Sequence, residues 1–183
     1  MKNIQLNYET LINVTKSLSR SKDPDEIISK TVESVQTALG VKGCALFLIN
    51  KNTKELEVAA ASGLSDEYLN KGTISALKSI ADSLKEGPVA VFDVSDDPRI
   101  QYPEAAEKEG IASILSTPVL VGDDAIGAMR VYTAEKWDFT LDDVNFCQAL
   151  AQIAGVLIEM SRLYKGQNEY IDALSMRCES PML

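Results

Sequence analysis

Apolar residues recur along the chain at several spacings, and each spacing predicts a different element. Ile4, Leu11 and Leu18 repeat every seven residues, with Asn7 and Val14 in the alternate positions. A narrow stripe of this kind predicts a short amphipathic helix over 1–22. It would pack on its own domain or in a seam shared between two chains. Asp23-Pro24-Asp25-Glu26 then reads as a helix start. Asp23 caps free N–H groups, Pro24 suits the first turn, and the early acids favour the positive end of the dipole. Ile27, Ile28, Thr31, Val35 and Leu39 form the buried face, and Gly40 supplies the left-handed stop.

The next segments change period. Cys44 to Ile49 is a continuous apolar run, read as a strand in mid-sheet, and the alternating Glu55 to Ser62 returns as its hairpin partner. Ser65 to Lys71 predicts a short helix. Ile74, Leu77, Ile80, Ala81 and Leu84 mark a longer one, stopped by Gly87-Pro88. Val89 to Val94 is a third strand. Pro103 to Glu109 reads as a brief helix ended by Gly110. Ser113 to Val121 and Ala125 to Thr133 are two strands around a Gly122-Asp123-Asp124 turn. Pro118 within the first of them predicts an edge, a bulge or a corner.

Thr140-Leu141-Asp142-Asp143 matches a capping signature and opens the last helix. In it Phe146, Ile153, Met160, Gln167 and Leu174 repeat every seven residues, as do Leu150, Leu157, Tyr164, Ile171 and Cys178. Two interleaved series of this kind form a heptad seam. Its first half would also cover the sheet, and beyond Arg162 nothing in the domain remains to be covered. The element order predicts an α+β fold on an antiparallel sheet of five to six strands. The domain organisation is an amphipathic helix (1–22), a domain (23–164) and a helical extension with a frayed tail (165–183).

Composition narrows the chemistry. The net charge of −9 repels nucleic acid and anionic lipid, and no Lys/Arg-rich run offsets it. No apolar run of eighteen and no signal peptide is present, so neither a nucleic acid nor a membrane is expected as partner. The three cysteines, Cys44, Cys147 and Cys178, are too widely spaced for a disulfide framework or a zinc site. A cytoplasmic setting, no metal and no cofactor are the expectation. The absence of histidine removes Ser-His-Asp and Cys-His catalysis and His-ligated haem.

An ordered set of motifs then carries a resemblance. L-G-V precedes the strand G-C-A-L-F-L-I-N, and S-G-L follows the second strand. Asp93, Asp97, Pro98 and Arg99 form D-x-x-x-D-P-R, followed by Tyr102-Pro103, by E-G-I-A-S at 109–113 and by Pro118. I-G-A-M-R-V-Y, Phe139-Thr140-x-x-Asp143 and I-E-M-S-R-L-Y close the pattern. Together, over 23–164, they resemble a GAF domain, the small-molecule-sensing module of signalling proteins such as sensor kinases. The resemblance implies a GAF/PAS-like arrangement: first and last helices on one sheet face, and a pocket on the other beneath the crossings 65–86 and 95–110. It implies that Met129 and Val131 face the helices while Ala128, Arg130 and Tyr132 face the pocket.

Candidate ligand-binding residues follow from that placement. Arg130, on a half-buried strand, needs an anion, supplied by a carboxylate or phosphate ligand or by a structural pair with Asp93 or another acid. Asp93 and Arg99 either clamp a ligand or brace a loop. Tyr102 and Tyr132 either stack on a ligand ring or cap the core. Ser113 and Ser116 offer hydroxyls, and Phe47 lines the cavity or fills the core. Candidate dimer contacts are Ile4, Leu11, Leu18, Leu150, Leu157, Met160 and Tyr164.

Three special subclasses fit poorly. The cyclic-nucleotide motif N-K-x(n)-F-x3-D-E meets Thr133-Ala134 and Val144 in place of its Asn-Lys and Glu, although Phe139 and Asp143 are kept. Bilin binding needs a cysteine, and Ala45 to Phe146 holds neither cysteine nor histidine. Free methionine sulfoxide reduction needs reactive cysteines in that same region. The expectation is a non-enzymatic sensory module, homodimeric through its terminal helices, that passes a small-molecule signal to a kinase or other output protein. The rivals are a ligand-free dimerising adaptor and, behind it, a sulfoxide-reducing enzyme.

Overall fold

The computed structural model describes residues 23–50, 52–53, 55–72 and 87–178, together with Ile12, Thr15 and Lys16. The expected helices around Ile4–Leu18 and Ile74–Leu84 lie outside the described residues, apart from the helical Ile12, Thr15 and Lys16.

Helix α1 (Pro24–Leu39) begins where the Asp23 carboxylate accepts the Asp25 N–H at 3.1 Å, with Pro24 in the first turn. Gly40 ends it at φ 59°. Strands β1 (Gly43–Ile49) and β2 (Leu56–Ser62) form the first hairpin. The short helix α2 (Asp66–Leu69) is capped by the Ser65 hydroxyl, which accepts the Tyr68 N–H at 3.2 Å. After β3 (Val89–Val91) come α3 (Pro103–Lys108), β4 (Ser113–Val121), β5 (Asp124–Thr133) and α4 (Leu141–Cys178). The α4 start is a reciprocal capping box. The Thr140 N–H donates to the Asp143 carboxylate at 2.9 Å, and the Asp143 N–H donates to the Thr140 hydroxyl at 3.2 Å.

The five strands pair antiparallel in the order β2-β1-β5-β4-β3. Strand β3 pairs only with Ile114–Ser116, so β4 is locally an edge at Pro118, where a missing N–H is tolerated. Gly127 stands opposite Leu48 in the β1–β5 ladder. A Cβ there would collide with the Phe47 carbonyl oxygen, so only glycine lets these strands close.

Period-two alternation sends side chains to two separate cores. On one face Cys44, Leu46, Leu115, Val119, Met129 and Val131 pack against Ile27, Val32 and Val35 of α1 and Phe146, Leu150, Ala154 and Ile158 of α4. On the other, Ala45, Phe47, Ile114, Ala128 and Tyr132 meet Tyr68, Val91, Val94, Ala106 and Ile111 from the connecting segments. Each fully buried aliphatic here contributes roughly 1.5–3 kcal/mol.

The two long helices run in opposite directions. At the Ser62 end of the sheet, the last turns of α1 are held by Gln36, whose amide donates to the Lys42 carbonyl at 3.0 Å. The same amide accepts from the Ser62 hydroxyl. Helix α4 starts at that end and passes the β4–β5 hairpin at Gly155. A Cβ there would lie 2.5 Å from the Leu120 carbonyl oxygen, so glycine lets the helix rest on the strand. Beyond it, α4 continues for some 35 Å, and every residue from Arg162 to Ile171 is exposed. Leu141–Ile171 is apolar enough, by length and composition, to cross a membrane. Its inner face is occupied by the sheet and α1.

One expectation is corrected. Leu150 belongs to the domain's own core, fully buried, and is not available for contact with a second chain. Leu157 packs partly against that core, whereas Met160 and Tyr164 are exposed. Ile4, Leu11 and Leu18 lie outside the described residues.

Candidate functional site

The face of the sheet away from α1 and α4 carries an unusual group for an apolar interior. Arg130, on the central strand β5, is 6% exposed. Its ladder neighbours are Ala45 on β1 and Ser116 on β4, two small residues that leave room for a guanidinium. The guanidinium lies over the Phe47 ring, 5.7 Å from its centre, within the range of a cation–π contact. Two residues on, Tyr132 is flanked by Gly43 and Ile114 and is fully buried. Its hydroxyl has no hydrogen-bond partner among the described residues. Burial pushes that phenol up to about 12, opposed by the charge of Arg130.

The crossing segment brings two more groups to this place. Tyr68 packs edge-on against Tyr132, with ring centres 5.9 Å apart. Lys71 lays its ammonium 3.4 Å above the Tyr68 ring and donates to the Tyr68 carbonyl at 2.8 Å. Burial first, and the charge of Arg130 second, lower the Lys71 amine to about 8, with Glu109 pulling the other way. Burial would raise the Glu109 carboxyl, but hydrogen bonds from the Ser65 hydroxyl and N–H, with Lys42 and Lys71 nearby, hold it below its ordinary value. Between α2 and α3 opens a cavity of about 340 Å³, lined among others by Ser65, Tyr68, Asn70, Lys71, Lys108 and Glu109.

Glu67 and Ala105 complete the cavity lining, whereas Arg130, Tyr132 and Phe47 are buried in the adjoining core and do not line it. Two cations, Arg130 and Lys71, and one carboxylate, Glu109, therefore stand around Tyr68. Among the described residues, no group of three or more His, Cys, Asp or Glu side chains is arranged to hold a metal.

The GAF domain family profile matches residues 21–159. The chain belongs to the GAF domain family. A GAF domain from a phosphoenolpyruvate-protein phosphotransferase of Coxiella burnetii superposes with a TM-score of 0.78 at 19% identity, covering 90% of this chain and 99% of that one. Free methionine-R-sulfoxide reductase from Neisseria meningitidis, solved with its substrate, gives 0.75 at 20% identity, covering 90% and 95%. The domain of a putative two-component sensor histidine kinase protein from Sinorhizobium meliloti 1021 gives 0.65 at 21% identity, covering 79% and 96%. No curated protein sequence matches the chain. At these identities the structures share the fold alone, a fold common in sensory and regulatory proteins.

Within this GAF domain the sequence candidates separate. Arg130, Tyr132, Ser116 and Phe47 converge on the face away from α1 and α4, as the alternation required. Tyr102 caps α3 half-buried and accepts from the Gln101 amide, with Gly72 packed against its hydroxyl. Ser113 is corrected: it shares a face with Leu115, toward the helices. Its hydroxyl is occupied there, donating to the Phe92 carbonyl and accepting the Trp137 N–H at 2.8 Å. Asp93 and Arg99 brace loops, though not as a pair. Asp93 holds Lys136 and Ser95, which depress its carboxyl to about 2. Arg99 holds Asp97 and donates to the Ala90 carbonyl on the outer edge of β3. Neither Asp93 nor Arg99 faces Arg130.

Tyr68, Lys71 and Glu109 escaped sequence reasoning. The serine cap of α2 was the one local signal near them, and nothing in the sequence distinguishes Lys71 from a solvated lysine.

Proposed function

We propose that this GAF domain is a non-enzymatic sensory or regulatory module that binds a small anionic metabolite on the sheet face away from α1 and α4 and reports it through its terminal helices. One observation carries the reading: a guanidinium buried on the central strand, with Lys71 drawn in beside it. Two cations near one another, one buried and one half-buried, would attract a small anion in addition to the Glu109 carboxylate already near them. Ser116 and the Tyr132 hydroxyl add polar groups on the same side. Binding would order the crossing segments and so bias the sheet and α4. The bias is limited to the ligand's differential affinity for the two arrangements.

The output is a kinase or another signalling protein, reached through a homodimer. Of the candidate contacts on α4, Met160 and Tyr164 are exposed and Leu157 is partly buried beside them. The thiols support a non-enzymatic role. Cys44 and Cys147 are both buried on the helix face, away from Arg130, and burial raises both pKa values. A thiol held protonated is a poor nucleophile.

The test is direct. Denatured wild-type protein, as purified, should release a carboxylate- or phosphate-bearing small molecule detectable by mass spectrometry, and Arg130→Gln should not. Identical small-molecule profiles from the two proteins, together with no thermal shift from any panel of small acids, would leave the ligand-free adaptor as the better reading.

A further inference from the structure

Several lysines of the domain stand beside a carboxylate: Lys30 with Glu26, Lys42 with Glu109, Lys108 with Glu67 and Lys136 with Asp93. Lys71 is held differently. Its ammonium rests over the Tyr68 ring and donates to the Tyr68 carbonyl, and among the described residues no carboxylate forms an ion pair with it. Helix α2 sets it there. Asn70 closes the helix and Lys71 follows at once, so its stem folds back over the last turn. Tyr68 is in turn fixed edge-on against Tyr132.

The charges that face the amine are mixed. Arg130, from the sheet, disfavours a second cation, and Glu109, from the end of α3, favours one. The Glu109 carboxylate is occupied by the Ser65 N–H and hydroxyl and lies near Lys42, so burial and Arg130 prevail. A value of about 8 leaves an appreciable share of the amine unprotonated near neutral pH. A lysine relieved of its proton by desolvation and a neighbouring cation is a nucleophile. The way in is the cavity of about 340 Å³ between α2 and α3, which Lys71 lines together with Glu67, Lys108 and Glu109. Arg130, Lys42, Lys71 and Lys108 outnumber Glu67 and Glu109 around it, a local exception to the net charge of −9. A small anion is therefore admitted there.

We propose that Lys71 is a modification site, acylated at Nζ by small acyl phosphates that enter the cavity between α2 and α3. The unprotonated Nζ attacks the acyl carbon and a C–N bond forms. The C–O bond to phosphorus's oxygen breaks, and phosphate leaves with the electron pair and takes up the amine proton. The product is a neutral amide. Burial and Arg130 both favour an uncharged nitrogen at this place, so the amide is accommodated where the ammonium is disfavoured. Acylation requires no bound metabolite, and it removes one of the two cations beside Tyr68.

The full chain, treated with acetyl phosphate and mapped by mass spectrometry over time, reads the rate at each lysine. Lys108 reaches the same cavity but is held protonated by Glu67, and Lys165 stands exposed on α4. At about pH 7.5, Lys71 should be acetylated about tenfold faster than either, because its larger unprotonated share outweighs its lower basicity. Its rate should level off above about pH 8, while that of Lys165 keeps rising. Equal enrichment of Lys71 and Lys108 over Lys165 would mean that the cavity gathers the anion without activating Lys71. That result would overturn the proposal and leave the anion-binding reading standing. A rate at Lys71 no higher than at Lys165, or parallel pH profiles for the two, would also overturn it.

Discussion

Ser116 and Arg130 face each other across the β4–β5 ladder, and the small serine opens the space in which a guanidinium lies over Phe47. A larger residue at 116 would fill the place an anion needs. Arg130→Met should therefore weaken binding of the proposed anion at least about tenfold, since a charge-assisted bidentate contact would be lost. It should change unfolding free energy by less than about 1.5 kcal/mol, because an apolar side chain of similar volume avoids desolvating a charge. Titration calorimetry and urea denaturation measure the two separately. A variant that binds normally would remove Arg130 from the site.

Lys71 should make stability and binding depend on pH in opposite senses. Its folded value, about 8, lies below the ordinary lysine value of 10.5. Between the two, the unfolded chain holds more protons than the native one, so stability rises with pH across that window. Below about 8 both states are protonated and the burial penalty is constant. An anion beside Lys71 favours its protonated form, so affinity should fall as pH rises through about 8. Denaturation and binding series from pH 7 to 10, compared with Lys71→Met, should show both trends in the wild type only.

Gly127→Ala should cost about 3 kcal/mol, the upper range for overpacking, because the added methyl meets a carbonyl oxygen that the β1–β5 ladder holds in place. Chemical denaturation reads this directly. A loss under 1 kcal/mol would mean the strands part easily at that point.

Leu150 and Tyr164 should behave differently although both belong to one seven-residue series. Leu150→Ala, inside the core, should destabilise by about 2–5 kcal/mol and leave the oligomeric state unchanged. Tyr164→Glu, on the exposed length of α4, should convert the proposed dimer to monomer in sedimentation. A wild-type monomer at tens of micromolar (a concentration at which a modest interface still associates) would reject the dimer.

Cys44 and Cys147 should resist alkylation in the folded protein at pH 8, because burial holds both thiols protonated and out of reach. Peptide mapping after iodoacetamide should find both unmodified, and labelled only after unfolding.

Much of the architecture is local and so was legible in the chain itself. Asp23-Pro24 and Gly40 bound α1, Thr140 and Asp143 cap α4, and the alternation Ala128–Arg130–Tyr132 against Met129–Val131 assigned faces before any coordinates. These signals survive because caps, turns and strand alternation depend on neighbours a few residues away. The partners of charged and polar side chains do not. Ser113 turned to the helix face to hold Trp137, Asp93 took Lys136, Arg99 took Asp97 and the edge of β3, and Lys71 came to rest over Tyr68. Each of those choices was made by long-range packing, which sets what lies within reach of a flexible side chain once the backbone is in place. The heptad series in α4 shows the same division. Its period is written in the sequence, but only the length of the sheet decided that Leu150 would be core and Tyr164 surface.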